Sequence, residues 1–290
     1  MKKPVYRRST FVKSLLIVIS IVLIASTTLY VYRQTMKMQT ITKAAEQNAA
    51  ESKKEIAAQA IMALKKKEPV SIALVKADPI RAIVEDYTKQ DSLWVLVNKT
   101  NSISTNYIPA GLVLPDVPER TDKSIEERSV RSDIAIPLKS MFDAASREGH
   151  SLMIGSAYRS AALQKQYFNA YAANAGIAAA NQYSAYPGQS EHQTGLAVDI
   201  SSVSRSCYLD TCFTSTPDGQ WLAANSYNYG FTLRYPKDKT AITGYNFEPW
   251  HYRYVGIDLA TALHQSGLTV DEAWPSLQAA LAILKTNGAL

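Results

Sequence analysis

Two short phrases constrain this chain more than any other feature: SEHQTGLAVD (190–199) and EPWH (248–251). Between them they carry two histidines, an aspartate and two glutamates, and a fold that uses them must bring two separated segments to one point. Catalytic zinc usually takes three protein ligands from His, Asp and Glu, keeps one position open for water, and works beside a separate carboxylate that moves protons. His192, Asp199 and His251 supply the three ligands and Glu248 the proton-handling group, so one Zn²⁺ per chain is expected. From Gly195 onward Leu196, Val198 and Ile200 alternate with Ala197 and Asp199, the pattern of a strand that displays Asp199 from its small-residue side, with His192 on the turn leading in. Pro249 stiffens the second phrase, so that Glu248 and His251 project differently, one to ligate and the other to face the bound water.

The length of 290 residues and a 47% hydrophobic share allow one substantial core with an accessory segment. Residues 1–33 hold six of the 31 basic residues and no acid, leaving 25 bases against 25 acids in the rest of the chain. The whole formal charge of +6 therefore sits at the N-terminus, which argues for a membrane flank and against nucleic acid as a partner. The uncharged run SLLIVISIVLIASTTLYVY (14–32) matches the ~20 residues of a membrane-crossing helix. Positive charge before it places residues 1–13 in the cytoplasm and everything after it outside. A cleaved signal peptide is the alternative, although the run exceeds the usual ~7–15 apolar residues and Ile24-Ala25-Ser26 is a poor cleavage site. Cys207 and Cys212 both follow the anchor, where an oxidising compartment permits them to pair and stabilise a small loop locally. The Asn98-Lys99-Thr100 sequon reads as accidental.

Residues 33–68 are rich in Ala, Gln, Glu and Lys, contain no Gly or Pro, end before Pro69, and read as a helical stalk; its sparse apolar positions favour a solvated helix over a coiled-coil dimer. The extracytoplasmic domain is expected over 69–290. Leu93 to Val97 reads as a strand or covering segment. A helix begins at Pro137, with Leu138, Met141, Phe142 and Ala145 on its buried face and Gly149 at its stop. Ser151–Ser156 reads as a strand, and Ser160 caps a helix to about Asn174 with Leu163, Tyr167, Ala170 and Tyr171 on one side. A helix over 220–229, strands over 231–235 and 250–255, and a late helix around Leu259 to Ser266 follow. His150 is assigned to the helix end before it, and His264 to packing or surface. Short strands alternating irregularly with helices, and no phosphate-binding glycine loop, indicate an α+β fold: a small antiparallel sheet with flanking helices carrying a zinc cleft.

Tyr158-Arg159-Ser160, Gln164, PGQSEHQTGLAVD (187–199), YGF (229–231), RYP (234–236), TGY (243–245) and EPWHYRYVG (248–256), in this order, resemble the VanY-type D-alanyl-D-alanine carboxypeptidases, zinc peptidases related to lysostaphin-type and hedgehog domains. The resemblance covers about residues 92–267. It implies that His192, Asp199 and His251 bind Zn²⁺ and that Glu248 is the catalytic base. It further implies that Arg159 engages the substrate's terminal carboxylate or the developing oxyanion, and that Gln164, Ser190, Tyr235 and Trp250 line the substrate cleft. Two departures stand out. Ala157 replaces a glycine common in the family, and Ser204 to Gly219, with both cysteines, looks like an insertion able to rim the cleft. The expected activity is removal of the C-terminal D-alanine from peptidoglycan stem peptides by a membrane-anchored D,D-carboxypeptidase. L,D-carboxypeptidase action on tetrapeptides, endopeptidase action and a non-catalytic wall-binding role stand as alternatives. Oligomeric state is left open.

Overall fold

The structure is a computed structural model that describes residues 89–286, together with Leu29, Gln47 and the helical residues 32–40 and 42–44. The expected membrane segment, apart from Leu29 and Tyr32, and most of the expected stalk lie outside the described residues. Among the described residues no helix is long and apolar enough to cross a membrane.

The chain runs through β1 (Leu112–Val113), α1 (Ile125–Arg128), β2 (Val130–Arg131), α2 (Ser132–Arg147), β3 (Leu152–Ser156), α3 (Ala161–Ala175), α4 (Ile177–Tyr183), β4 (Ala197–Ser202), α5 (Pro217–Asn225), β5 (Phe231–Leu233), α6 (Thr240–Thr243), β6 (His251–Tyr254), α7 (Ile257–Ser266) and α8 (Val270–Thr286). The central sheet has the order β3-β4-β6-β5, antiparallel throughout. β1 and β2 form a separate two-stranded ribbon. This is the expected α+β arrangement, with helices flanking a small antiparallel sheet.

Strand alternation divides the central sheet into two faces. Ile154, Val198, Ile200 and Tyr252 turn to the core, where α2 supplies Ile134, Leu138, Met141, Phe142 and Ala145 and α7 supplies Leu259 and Leu263. The opposite face carries Asp199, His251 and Arg253, and a register shift between Ile154 and Ser156 on β3 brings Ser156 opposite Asp199 onto that face as well. Gly195 makes the entry to β4 possible: it ends the 3-10 turn Glu191–Thr194 at φ 69°, a left-handed conformation that favours glycine. A side chain there would also meet Arg131 at 3.2 Å.

Several expected boundaries shift for physical reasons. α2 begins at Ser132, not Pro137. Fully buried Ile134 extends the apolar stripe backward, and the missing Pro137 N–H costs the helix one hydrogen bond that this packing offsets. α3 is capped by Ser160 as expected, its Oγ accepting from Leu163 N–H. Its buried side is Ala161, Gln164 and Phe168, however, while Ala170 and Tyr171 are exposed. The helix expected over 220–229 starts at Pro217, after the Thr216 cap, and tightens into a 3-10 turn over Ser226–Tyr229. Leu93 to Val97 is a buried covering segment with no strand pairing. Trp94 Nε1 donates to Val255 O at 2.6 Å, and the carbonyls of Leu93 and Val95 accept from Arg253. Asn98 is buried, and its amide bonds Asp271, Thr100 and Asn101, in keeping with an accidental sequon. Cys207 and Cys212 form a disulfide.

Candidate metal centre and substrate cleft

Cross-strand pairing builds the site. Ser156 lies opposite Asp199 on β3 and β4, and Asp199 lies opposite His251 on β4 and β6. Directly paired residues project to the same face, so the three side chains form one row. The 3-10 turn before β4 then swings His192 over this row. His192 Nε2 lies 3.4 Å from Asp199 Oδ2, and His251 Nδ1 lies 3.3 Å from Asp199 Oδ1. One ligand atom from each of the three buried residues can be chosen such that all lie within 4.8 Å of one another. The donor set fits zinc on three counts. Tetrahedral ligands at ~2.0–2.1 Å from zinc stand about 3.3 Å apart, matching these separations. Asp199 Oδ1 is buried with no hydrogen-bond partner among the described residues, so it is an orphan a cation would satisfy. His192 Nδ1 lies 2.6 Å from Ala157 O, and donation there leaves Nε2 free toward Asp199. Ala157 is not among the positive-φ residues, so its position does not require the family's glycine.

Glu248 is the fourth group. Its Oε2 lies 3.6 Å from His251 Nδ1. Burial, reinforced by the Asp199 charge and opposed by His251 and Arg159, pushes its carboxyl up to about 7. Burial acts against the charged form of His251, but the Asp199 and Glu191 carboxylates, 3.3 and 3.6 Å from its ring nitrogens, outweigh it and bring the imidazole up to about 9. The Asp199 carboxylate also loses hydration by burial, yet His192 and His251 hold it well below the usual carboxylate range.

Arg159 sits in the turn between β3 and α3. Its Nη1 donates to Gln164 Oε1 at 2.8 Å and its Nη2 to Ser156 Oγ at 3.1 Å, while Nη2 lies 3.9 Å from Asp199 Oδ2. The guanidinium also lies over the Tyr167 ring, 5.1 Å from its centroid. Gln164 Nε2 donates to Ser184 Oγ and Ala185 O. Gln164 thus lines the cleft as expected, with its amide bonded at both ends and its oxygen orienting Arg159.

These residues border a cleft of about 410 Å³ that Ser190, Tyr235 and Trp250 also line, as expected from the resemblance. The Tyr235 ring lies 4.8 Å from that of His251. Tyr208 and Leu209, inside the disulfide-closed insertion, reach the same cleft. Tyr208 is anchored by its hydroxyl to Gly155 O at 3.2 Å and by its ring to Arg120. His150 and His264 lie apart from the site. His150 Nδ1 pairs with Asp218 at 3.2 Å instead of capping the preceding helix by its side chain, and His264 stacks on Tyr227.

Sequence reasoning missed Ser156, Tyr167 and the carboxylate of Glu191. Glu191 is fully buried, and its Oε1 accepts from Arg234 Nε at 2.7 Å and Arg253 Nη1 at 2.8 Å. The signal for it lay in the phrase 190–199, where an acid flanks a ligand histidine.

Comparison with known proteins agrees with this geometry. A family model described as VanY, D-alanyl-D-alanine carboxypeptidase, matches residues 127–257. The protein YodJ of Bacillus subtilis (strain 168) is 42% identical over 231 residues, covering 80% of this chain and 82% of its own. The solved structure of the LD-carboxypeptidase LdcB is 45% identical with a TM-score of 0.62, covering 64% of this chain and 87% of the other. A variant of the vancomycin resistance D,D-pentapeptidase VanY, solved in complex with Zn(II), is 34% identical with a TM-score of 0.50, covering 64% and 99%. With this likeness spanning most of the chain, and with His192, Asp199, His251, Glu248 and Arg159 gathered at one cleft, this chain belongs to the VanY family of D-alanyl-D-alanine carboxypeptidases.

Proposed function

We propose that the chain is a zinc D,D-carboxypeptidase that removes the C-terminal D-alanine from peptidoglycan stem peptides. The observation that carries this reading is the placement of Arg159 in the same cleft as His192, Asp199, His251 and Glu248, its guanidinium 3.9 Å from the Asp199 carboxylate. His192 Nε2, Asp199 and His251 Nδ1 would hold the ion. When bound, zinc supplies Lewis acidity that lowers the pKa of water toward ~7 and polarises the scissile carbonyl. Glu248 takes the proton of the attacking water and passes it to the leaving amine nitrogen. Arg159 receives the terminal carboxylate on its planar fork, which Gln164 and Ser156 hold in place. Ser190, Tyr235 and Trp250 wall the cleft around the terminal residue. A cation at a fixed position beside the metal ligands favours a substrate with a free carboxyl end over an internal peptide bond, and so an exopeptidase over an endopeptidase.

L,D-carboxypeptidase action on tetrapeptides is the second reading, supported by the likeness to LdcB. The D,D reading rests on the family description and the likeness to VanY. Mass spectrometry of products from matched pentapeptide and tetrapeptide stems decides between them. Loss of one alanine from the pentapeptide alone is the expected result. Loss from the tetrapeptide alone would establish the L,D activity instead, and internal cleavage would establish an endopeptidase.

The same proposal places the domain outside the cell membrane, held by a helix at 14–32 with the N-terminus in the cytoplasm. The apolar run preceded by basic residues supports it. Protease added to intact cells or protoplasts should then digest the domain, and full protection would contradict the topology.

A further inference from the structure

Behind His192, Asp199 and His251 lies a buried ion network in which two facing atoms are left over. Glu191 Oε1 serves both Arg234 and Arg253. Among the described residues neither Glu191 Oε2 nor His251 Nε2 has a hydrogen-bond partner, and the two face each other at 3.6 Å. The arginines are themselves fixed from behind. Arg234 turns its two Nη groups to Asp271 in the first turn of α8, and Asp271 also accepts from Asn98 Nδ2 at 2.8 Å. The other donors of Arg253 go to the carbonyls of Leu93, Val95 and Tyr254. Two guanidiniums balance two carboxylates, so the cluster is neutral as a unit. Rotating Glu191 away from His251 would break two charge-assisted bonds at once.

An imidazole that ligates through Nδ1 carries its proton on Nε2, and that proton needs an acceptor to fix ring orientation and tautomer. We propose that Glu191 is a positioning residue for His251, its Oε2 accepting the Nε2–H so that Nδ1 faces the metal, with Asp271 as the remote anchor of the same device. The inference rests on the reading of His251 as a zinc ligand. It also gives α8, which lies beyond the family-matched residues 127–257, a part in supporting the metal centre.

The test uses the full-length ¹⁵N-labelled protein loaded with zinc and long-range histidine NMR. His251 should carry its proton on Nε2 and His192 on Nδ1. Glu191→Gln should weaken zinc binding by about 10–100-fold in competition with a chelator. It should also lower kcat with KM unchanged, and Asp271→Asn should weaken zinc binding in the same direction by less. Glu191→Asp, which keeps the charge on a shorter arm, should restore the fold but not the zinc affinity. Should Glu191→Gln fail to fold, the wild-type tautomer and the Asp271→Asn affinity still decide. A proton on His251 Nδ1, or wild-type zinc affinity in a folded Glu191→Gln protein, would overturn the proposal while leaving the zinc reading intact. Failure of the wild-type protein to bind zinc would overturn both.

Discussion

Arg159→Lys tests how the cleft selects a free carboxyl end. In the wild-type protein Nη1 and Nη2 are held by Gln164 and Ser156, which fixes the plane of the guanidinium before substrate arrives. Lysine keeps the charge but offers a single compact donor group on a flexible stem, and it cannot keep both of these bonds in the same geometry. Losing one charge-assisted hydrogen bond to a carboxylate costs about 1.5–3 kcal/mol. At about 1.4 kcal/mol per factor of ten, kcat/KM for a pentapeptide should fall roughly 10- to 150-fold. The informative comparison is the same peptide with a C-terminal amide. The wild-type enzyme should discriminate against the amide, and Arg159→Lys should narrow that discrimination, with Arg159→Ala narrowing it further. Release of D-alanine or D-alaninamide, quantified by chromatography at saturating zinc, measures both rates. Equal losses on the two substrates would refute the carboxylate role and assign Arg159 to the developing oxyanion.

Zinc affinity should climb with pH. Against burial, the Asp199 and Glu191 carboxylates raise His251 to about 9, and it must be neutral to ligate, so affinity should rise with pH up to that value; a flat response in chelator competition across neutral pH would contradict this. Leu138→Ala removes a fully buried side chain from α2 and should cost about 2–5 kcal/mol, with melting about 2–4 °C lower per kcal/mol; calorimetry showing an unchanged Tm would contradict the core assignment. Replacing both Cys207 and Cys212 by serine frees the loop that brings Tyr208 and Leu209 to the cleft, so KM for the stem peptide should rise while Tm changes little. An unchanged KM would remove that loop from the substrate wall.

What the sequence revealed depended on whether a signal was local. The strand carrying Asp199 was legible because Leu196, Val198 and Ile200 alternate with it, and the Ser160 cap because its hydroxyl acts within one turn. The ligand set was legible because histidine is scarce, four in the chain, and two short phrases hold all three ligands. Gln164 defeated the helix-face reading: it is a polar residue on the buried side of α3, placed there by Ser184, Ala185 and Arg159, none of which periodicity can see. The start of α2 was misplaced because the proline preference for the first turn is weaker than the packing of Ile134. The Glu191–Arg234–Asp271 connection joins a 3-10 turn, the bend just after β5 and the first turn of α8, and no sequence period links those three positions.

The central claim is that His192, Asp199 and His251 hold zinc while Glu248 moves the proton. Glu248→Ala separates the two roles, because Glu248 is close to His251 yet outside the three-ligand set. Zinc content and D-alanine release should be measured on the same preparation of the variant. One zinc per chain is expected to be retained, with kcat reduced by about 10²–10⁴-fold. Wild-type turnover in the zinc-loaded variant would contradict the assignment of the base, and loss of the zinc would contradict the assignment of the ligands.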